Sequence, residues 1–202
     1  MRTKDVILSL VSLALVGAGA ALVATFFFGP GTSGDSDSGE TKDFNVPFLQ
    51  EDAQAYAKAP NDETLILTVP KMARLFNGAT VPSGEGDDEK KLKDYAAIHL
   101  KGTGFPWEAG ANVYIAGHRL GYANTNSFLA FYDLDKLKEG DEVTLVDADG
   151  REYTYRVFKQ LFVSPTDLSV TQPVGGRDIL TLQTCTLPDY SQRLIVQAEK
   201  VA

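Results

Sequence analysis

Asp178-Ile179-Leu180-Thr181-Leu182-Gln183-Thr184-Cys185 is followed, after a short polar interruption, by Arg193-Leu194-Ile195-Val196. Ile179, Leu180 and Leu182, with β-branched Thr181 and Thr184, predict a strand, and Leu187-Pro188-Asp189 supplies the turn signal that ends it. The only cysteine of the chain, Cys185, therefore stands at a strand mouth, where a thiol is both held and reachable. Arg193, eight residues later, opens a second apolar strand, so a hairpin would return a permanent cation beside the sulfur. Gly117-His118-Arg119, after the apolar run 113–116, supplies a candidate base.

Outward from that stretch, the sequence after Pro60 reads mostly as strands. Leu65 to Val69 is an apolar run ended by Pro70, and Val113 to Ala116 is another, ended by Gly117. Val143 to Val146 and Tyr153 to Val163 flank Asp149-Gly150, a hairpin signal, and Tyr153, Tyr155 and Val157 alternate with Thr154 and Arg156 as in a strand with one solvated face. Phe128, Phe131, Leu134 and Leu137 predict a helix over Asn126 to Lys138, stopped by Gly140. Gly84 to Lys93 reads as a charged loop to which no chemistry is assigned. The class this implies is mainly β, a closed or nearly closed barrel of roughly 140 residues.

The N-terminal end has another composition. Residues 6–28 carry no charge and as a helix would span roughly 35 Å, enough to cross a bilayer of about 30 Å with some tilt. Arg2 and Lys4 precede the run and Asp35, Asp37 and Glu40 follow it, so residues 1–5 are expected in the cytoplasm and the chain beyond Phe28 outside, as a single-pass protein of the cell membrane. The competing reading is a cleaved signal peptide with Ala18-Gly19-Ala20 at the cleavage site; the apolar sequence through Phe28 exceeds the usual length for that. Residues 29–61 then form an extracellular tether, rich in Gly, Ser, Asp and Pro at first, with an amphipathic helix over 46–59. The globular domain is expected at 62–202.

A formal net charge of −8 excludes a nucleic-acid partner, because phosphate binding needs clustered Lys and Arg that are lacking here. A single cysteine excludes an internal disulfide and a cysteine-cluster metal site. No acidic cluster has ligand spacing, so neither a metal nor a cofactor is expected.

Gly117-His118-Arg119 after an apolar strand, Thr181-Leu182-x-Thr184-Cys185 ending a later one, and Arg193-Leu194-Ile195-Val196 soon after resemble the signature of sortases, the membrane-anchored cysteine transpeptidases of Gram-positive bacteria. The resemblance covers residues 62–202. His99-x-x-Gly102-Thr103 and Asn112-x-x-Ile115-Ala116-Gly117-His118-Arg119 are most similar to the actinobacterial class E, with classes D and F as neighbours, although Pro106-Trp107-Glu108 stands where these classes often carry Pro-Gly-Glu. The resemblance implies a sortase-like closed β-barrel of about eight strands with one to three short helices, preceded by an N-terminal transmembrane helix. It implies as partners secreted proteins bearing a C-terminal sorting motif of Leu-Pro-x-Thr-Gly type, with Leu-Ala-x-Thr-Gly favoured in class E, and an amine of a cell-wall precursor or a pilin lysine. The loop 163–177 would border the motif groove and 186–192 the acceptor side.

The residues carry the same chemistry on their own account. Cleaving an amide needs a nucleophile, a proton donor for the leaving amine and a stabiliser of the oxyanion. Cys185 would attack, His118 would protonate the departing amine and deprotonate the incoming one, and Arg193 would hold the substrate carbonyl or its oxyanion. An unperturbed thiol and imidazole are thiolate and imidazolium together only about 1% of the time near pH 7.5. Plainer readings stand beside these roles: His118 as a satisfied turn histidine, Arg193 as a surface residue at a strand start, and Cys185 as a buried inert thiol in a membrane-tethered β-domain that binds a wall or protein partner. His99 is the competing base. Thr184 is either a donor to the substrate backbone or a strand residue; Tyr122, which resembles a class E tyrosine near the groove, is otherwise an exposed loop aromatic; Asn112 is a substrate-groove candidate or the filler of a turn.

Overall fold

The computed structural model describes residues 58–202, so the predicted membrane helix, tether and amphipathic helix lie outside the described residues. Among those described, no helix is long and apolar enough to cross a membrane. Among the described residues nine strands form one sheet: β1 (Leu65–Thr68), β2 (Ala79–Val81), β3 (Ser83–Gly84), β4 (Ile98–Leu100), β5 (Asn112–Ala116), β6 (Glu142–Val146), β7 (Glu152–Val163), β8 (Ile179–Cys185) and β9 (Arg193–Lys200). Their spatial order is β2-β1-β6-β7-β9-β8-β5-β4-β3. The two edge strands, β2 and β3, are separated in sequence only by Pro82, so the sheet must curl round towards itself into a nearly closed barrel. Proline has no N–H to donate to a ladder, which suits it to the seam.

Alternation decides what each strand buries. Tyr153, Tyr155 and Val157 of β7 and Val143 and Leu145 of β6 enter the main core, while Glu142, Glu152 and Arg156 stay at the surface. Asp149-Gly150 lies in the turn between these strands, as its hairpin signal requires. β5 and β8 run parallel, and both are buried along most of their length. Val113, Ile115, Leu180, Leu182, Leu194 and Val196 pack into the main core. Tyr114 and Ile195 point the other way and form a second apolar cluster with Val163 and Val170. Val170 belongs to a 3-10 turn (Leu168–Thr171) in the loop between β7 and β8, which therefore roofs the outer face of β5, β8 and β9.

Two expectations need correction. The predicted helix over 126–138 is a run of turns with one 3-10 segment, Leu134–Lys136. Phe128, Phe131, Leu134 and Leu137 recur every third residue, and the backbone answers with i to i+3 bonds: Ala130 N–H to Ser127 O, Leu134 N–H to Phe131 O, Leu137 N–H to Leu134 O. Leu129, with φ of 57°, breaks any continuous helix. The charged loop 84–93 contains part of β3 and most of a helix, α1 (Glu89–Asp94), whose N-cap Asp88 accepts from Lys91 N–H at 3.0 Å. None of its residues is buried, so it has no apolar stripe for a sequence reading to find.

Candidate active site

The strand register pairs Cys185 with Arg193 and sets β5, which leads into His118, along the other side of β8. On β8 and β9, Ile179 pairs with Glu199, Thr181 with Gln197, Gln183 with Ile195 and Cys185 with Arg193. On the other side of β8, Asn112 pairs with Ile179, Tyr114 with Thr181 and Ala116 with Gln183. His118 follows two residues after the end of β5, where the same alternation would direct it to the outer face. The backbone stays alongside that far, because Gly117 N–H donates to Gln183 O at 3.0 Å and Thr184 Oγ1 donates to Gly117 O at 2.8 Å. Cys185 and Arg193 thus form the last pair of the outer face, and His118 follows the end of the neighbouring β5.

Gly117 is needed for this placement. A Cβ there would lie 2.3 Å from the Phe131 ring, which packs flat on the glycine, while Phe131 N–H donates to His118 O at 3.1 Å. Phe131 and Gly117 together fix the point at which the chain leaves the sheet. Arg119, the third residue of the motif, serves the scaffold: it pairs with Asp135 at 2.8 Å and lies over Tyr132.

His118 Nε2 is buried with no hydrogen-bond partner among the described residues. An orphaned buried polar atom costs about 1–3 kcal/mol, so a site that leaves one open awaits a partner. Burial pushes the His118 pKa below that of an ordinary imidazole, and the Glu89 carboxylate on α1 partly opposes it. Tyr122 links the two: its ring meets the imidazole edge-on at 5.6 Å, and its hydroxyl donates to Glu89 Oε2 at 2.7 Å. Only two histidines are present, so NMR can follow each ring alone. His118 is expected to titrate below about 6.5, and Glu89→Gln is expected to lower its midpoint further; an unchanged or raised midpoint would show that the carboxylate does not act on the ring.

Arg193 Nη1 donates to Tyr190 O and Gln192 O, both at 3.2 Å, and no carboxylate pairs with it among the described residues. Its strand register sets Arg193 directly opposite Cys185. Cys185 is a free, half-buried thiol.

The remaining candidates are spent on the scaffold to different degrees. Asn112 Nδ2 donates to Val170 O and Gln172 O, both at 2.9 Å, and its Oδ1 accepts from Thr181 Oγ1 at 2.7 Å; it ties the roof loop to the sheet. Thr184 is buried with its hydroxyl on Gly117 O, on the face opposite Cys185. Tyr122 is exposed beside His118. His99 is fully buried, with Nδ1 against Ser83 Oγ at 3.2 Å and Nε2 against Gly104 O and Thr103 Oγ1; it is a structural histidine of β4. Among the described residues no three His, Cys, Asp or Glu side chains gather to hold a metal. Sequence reading missed Tyr114 and Gln183, bonded to each other on the outer face, and Glu89. Counting back two from Cys185 would have found Gln183, but Tyr114 and Glu89 reach the site only through tertiary contacts.

Comparison with known proteins identifies the fold. The model of the sortase domain family matches residues 67–201. Sortase A of Streptococcus agalactiae is 35% identical over 91 residues, which are 45% of this chain and 36% of that relative, so the match spans about a third of its length. Among solved structures, sortase C1 from Streptococcus agalactiae is 33% identical, covering 68% of this chain and 66% of that one, with a TM-score of 0.56. Sortase A from Corynebacterium diphtheriae is 28% identical, covering 72% and 63%, with a TM-score of 0.57. The sheet, the outer-face row at its edge and the span of the family match lead to one conclusion: the chain belongs to the sortase domain family.

Proposed function

We propose that this protein is a membrane-anchored cysteine transpeptidase that cuts a C-terminal sorting motif between Thr and Gly and passes the protein to an amine. The observation that supports the reading is the register: Cys185 lies opposite Arg193, and β5, which leads into His118, pairs with the other side of β8. Cys185 Sγ attacks the Thr carbonyl carbon, and the oxyanion forms against the Arg193 guanidinium, whose fork is oriented by the carbonyls of Tyr190 and Gln192. The C–N bond breaks as His118 gives its proton to the departing Gly amine, leaving a thioacyl group on Cys185. The incoming amine then attacks that carbonyl, returns a proton to His118 and releases the thiolate. Burial disfavours the imidazolium form of His118.

The substrate lies in the groove beneath the β7–β8 loop, and the acceptor approaches by the 186–192 side. The acceptor is a cell-wall precursor or a pilin; the pilin reading draws on the Streptococcus pneumoniae sortase C, whose solved structure bears on pilin substrate specificity and which is 25% identical with a TM-score of 0.60. The class E assignment rests on the motifs around His99 and His118, and the cell-membrane location, N-terminus inside, on the uncharged run 6–28 and its flanking charges. The test is to incubate the full chain with Leu-Pro-x-Thr-Gly and Leu-Ala-x-Thr-Gly peptides, with and without a glycine-based or diaminopimelate-type amine. Cleavage after Thr, a mass gain on Cys185 and a product that grows by the mass of the amine are expected. A chain that neither cuts the peptides nor acquires the acyl group sinks the reading.

A further inference from the structure

Gln183 lies two residues before Cys185 on β8, so alternation sets it on the same outer face, with Ala116 and Ile195 as its register neighbours. Its carboxamide is held from below: Tyr114 O–H donates to Gln183 Oε1. Tyr114 is buried in the cluster of Val163, Val170 and Ile195, and burial pushes its phenol pKa up, so it stays a protonated donor. With the oxygen taken, the amide presents its NH2, which has no partner among the described residues and is half-buried at the groove floor. Further along this face Asn112 and Thr181 are committed: Asn112 donates to the roof loop, and Thr181 donates to Asn112. Ala116, with only a methyl, leaves the position beside it open.

We propose that Gln183, oriented by Tyr114, positions the substrate by donating its carboxamide N–H to the backbone carbonyl two residues upstream of the acylated one. Two residues of strand span about 6.6 Å, which is also the separation of alternate carbonyls in an extended peptide lying alongside. A peptide whose acyl carbon sits at Cys185 therefore brings its second upstream carbonyl level with Gln183. Apolar walls from Leu161 and Val170 shield that bond from water and strengthen it. The interaction reads the main chain, so it tolerates either Pro or Ala at the second motif position.

This inference rests on the transpeptidase reading, and the experiment separates the two. In the full chain, Gln183→Leu is expected to lower kcat/KM for the sorting-motif peptide about tenfold, mostly through KM. Tyr114→Phe has a smaller effect, and the double variant is no worse than Gln183→Leu alone. A peptide with a thioamide in place of that upstream carbonyl, a poorer acceptor, loses several-fold with the wild-type chain and nothing with Gln183→Leu. That last readout does not move if Gln183 is merely structural. If the wild type cuts the peptide while Gln183→Leu stays within twofold, or if the thioamide penalty persists in the variant, the inference is overturned. If the wild type itself neither cleaves nor is acylated, the transpeptidase reading falls and takes this one with it.

Discussion

Replacing Cys185 with alanine is expected to abolish both transfer and hydrolysis of a sorting-motif peptide, a drop of at least about 10⁴-fold, while the thermal midpoint stays within a few degrees of wild type. The two expectations have separate causes. No other cysteine exists to take over the attack, and no thioacyl intermediate can form on a methyl group. The stability cost is small because the side chain is half-buried at the open end of β8 and stands outside both apolar clusters. Activity assayed by mass spectrometry, with the melting curve as the fold control, checks both. Retained cleavage would remove the thiol from the mechanism. A folded wild type that resists a thiol reagent at Cys185 would favour the binding-module reading instead.

The second large effect is expected at Arg193. Arg193→Gln should lower kcat about 10²- to 10³-fold, the cost of removing a charged donor from a developing oxyanion. Arg193→Lys should recover only a small part of it. Lysine keeps the charge but lacks the planar fork, and the Tyr190 and Gln192 carbonyls that steer Nη1 have no equivalent geometry to hold in an ammonium. Neither variant should alter thiol alkylation by a small uncharged reagent by a comparable factor, because that reaction develops no acyl oxyanion. A loss of alkylation as large as the loss of kcat would mean that Arg193 acts by sustaining the thiolate and not by holding the oxyanion. Single-turnover acylation rates measured beside alkylation rates separate the two cases.

How far these roles were legible before the fold was known depends on the range of the contacts. The β8–β9 hairpin is local: Cys185 and Arg193 are eight residues apart, flanked by apolar residues with a Leu-Pro-Asp turn signal between, and their pairing follows from strand geometry. The β6–β7 hairpin was legible on the same terms. The short strands β2, β3 and β4 were not, because two or three residues leave no period to detect. The run Phe128, Phe131, Leu134, Leu137 was misread as α-helical because a spacing of three fits both an α-helix face and a series of i to i+3 turns over so short a span. His99, the competing base, lost that role to burial and to hydrogen bonds made with Ser83, Thr103 and Gly104, none of which its own position announces.

By itself the sequence determined the residue types able to do the chemistry, the antiparallel return that sets a guanidinium beside a thiol, and the mainly β class, because these follow from local pattern and from side-chain composition. Only the tertiary structure decided that His99 is buried and bonded within the scaffold. The parallel pairing of β5 with β8, across almost 70 residues, aligns Ala116 with Gln183 and leads the chain into His118 beside β8. The same long-range pairing spends Thr181 on Asn112 and Asn112 on the roof loop and leaves the Gln183 amide open, since a hydrogen bond between distant segments depends on register that no local window contains.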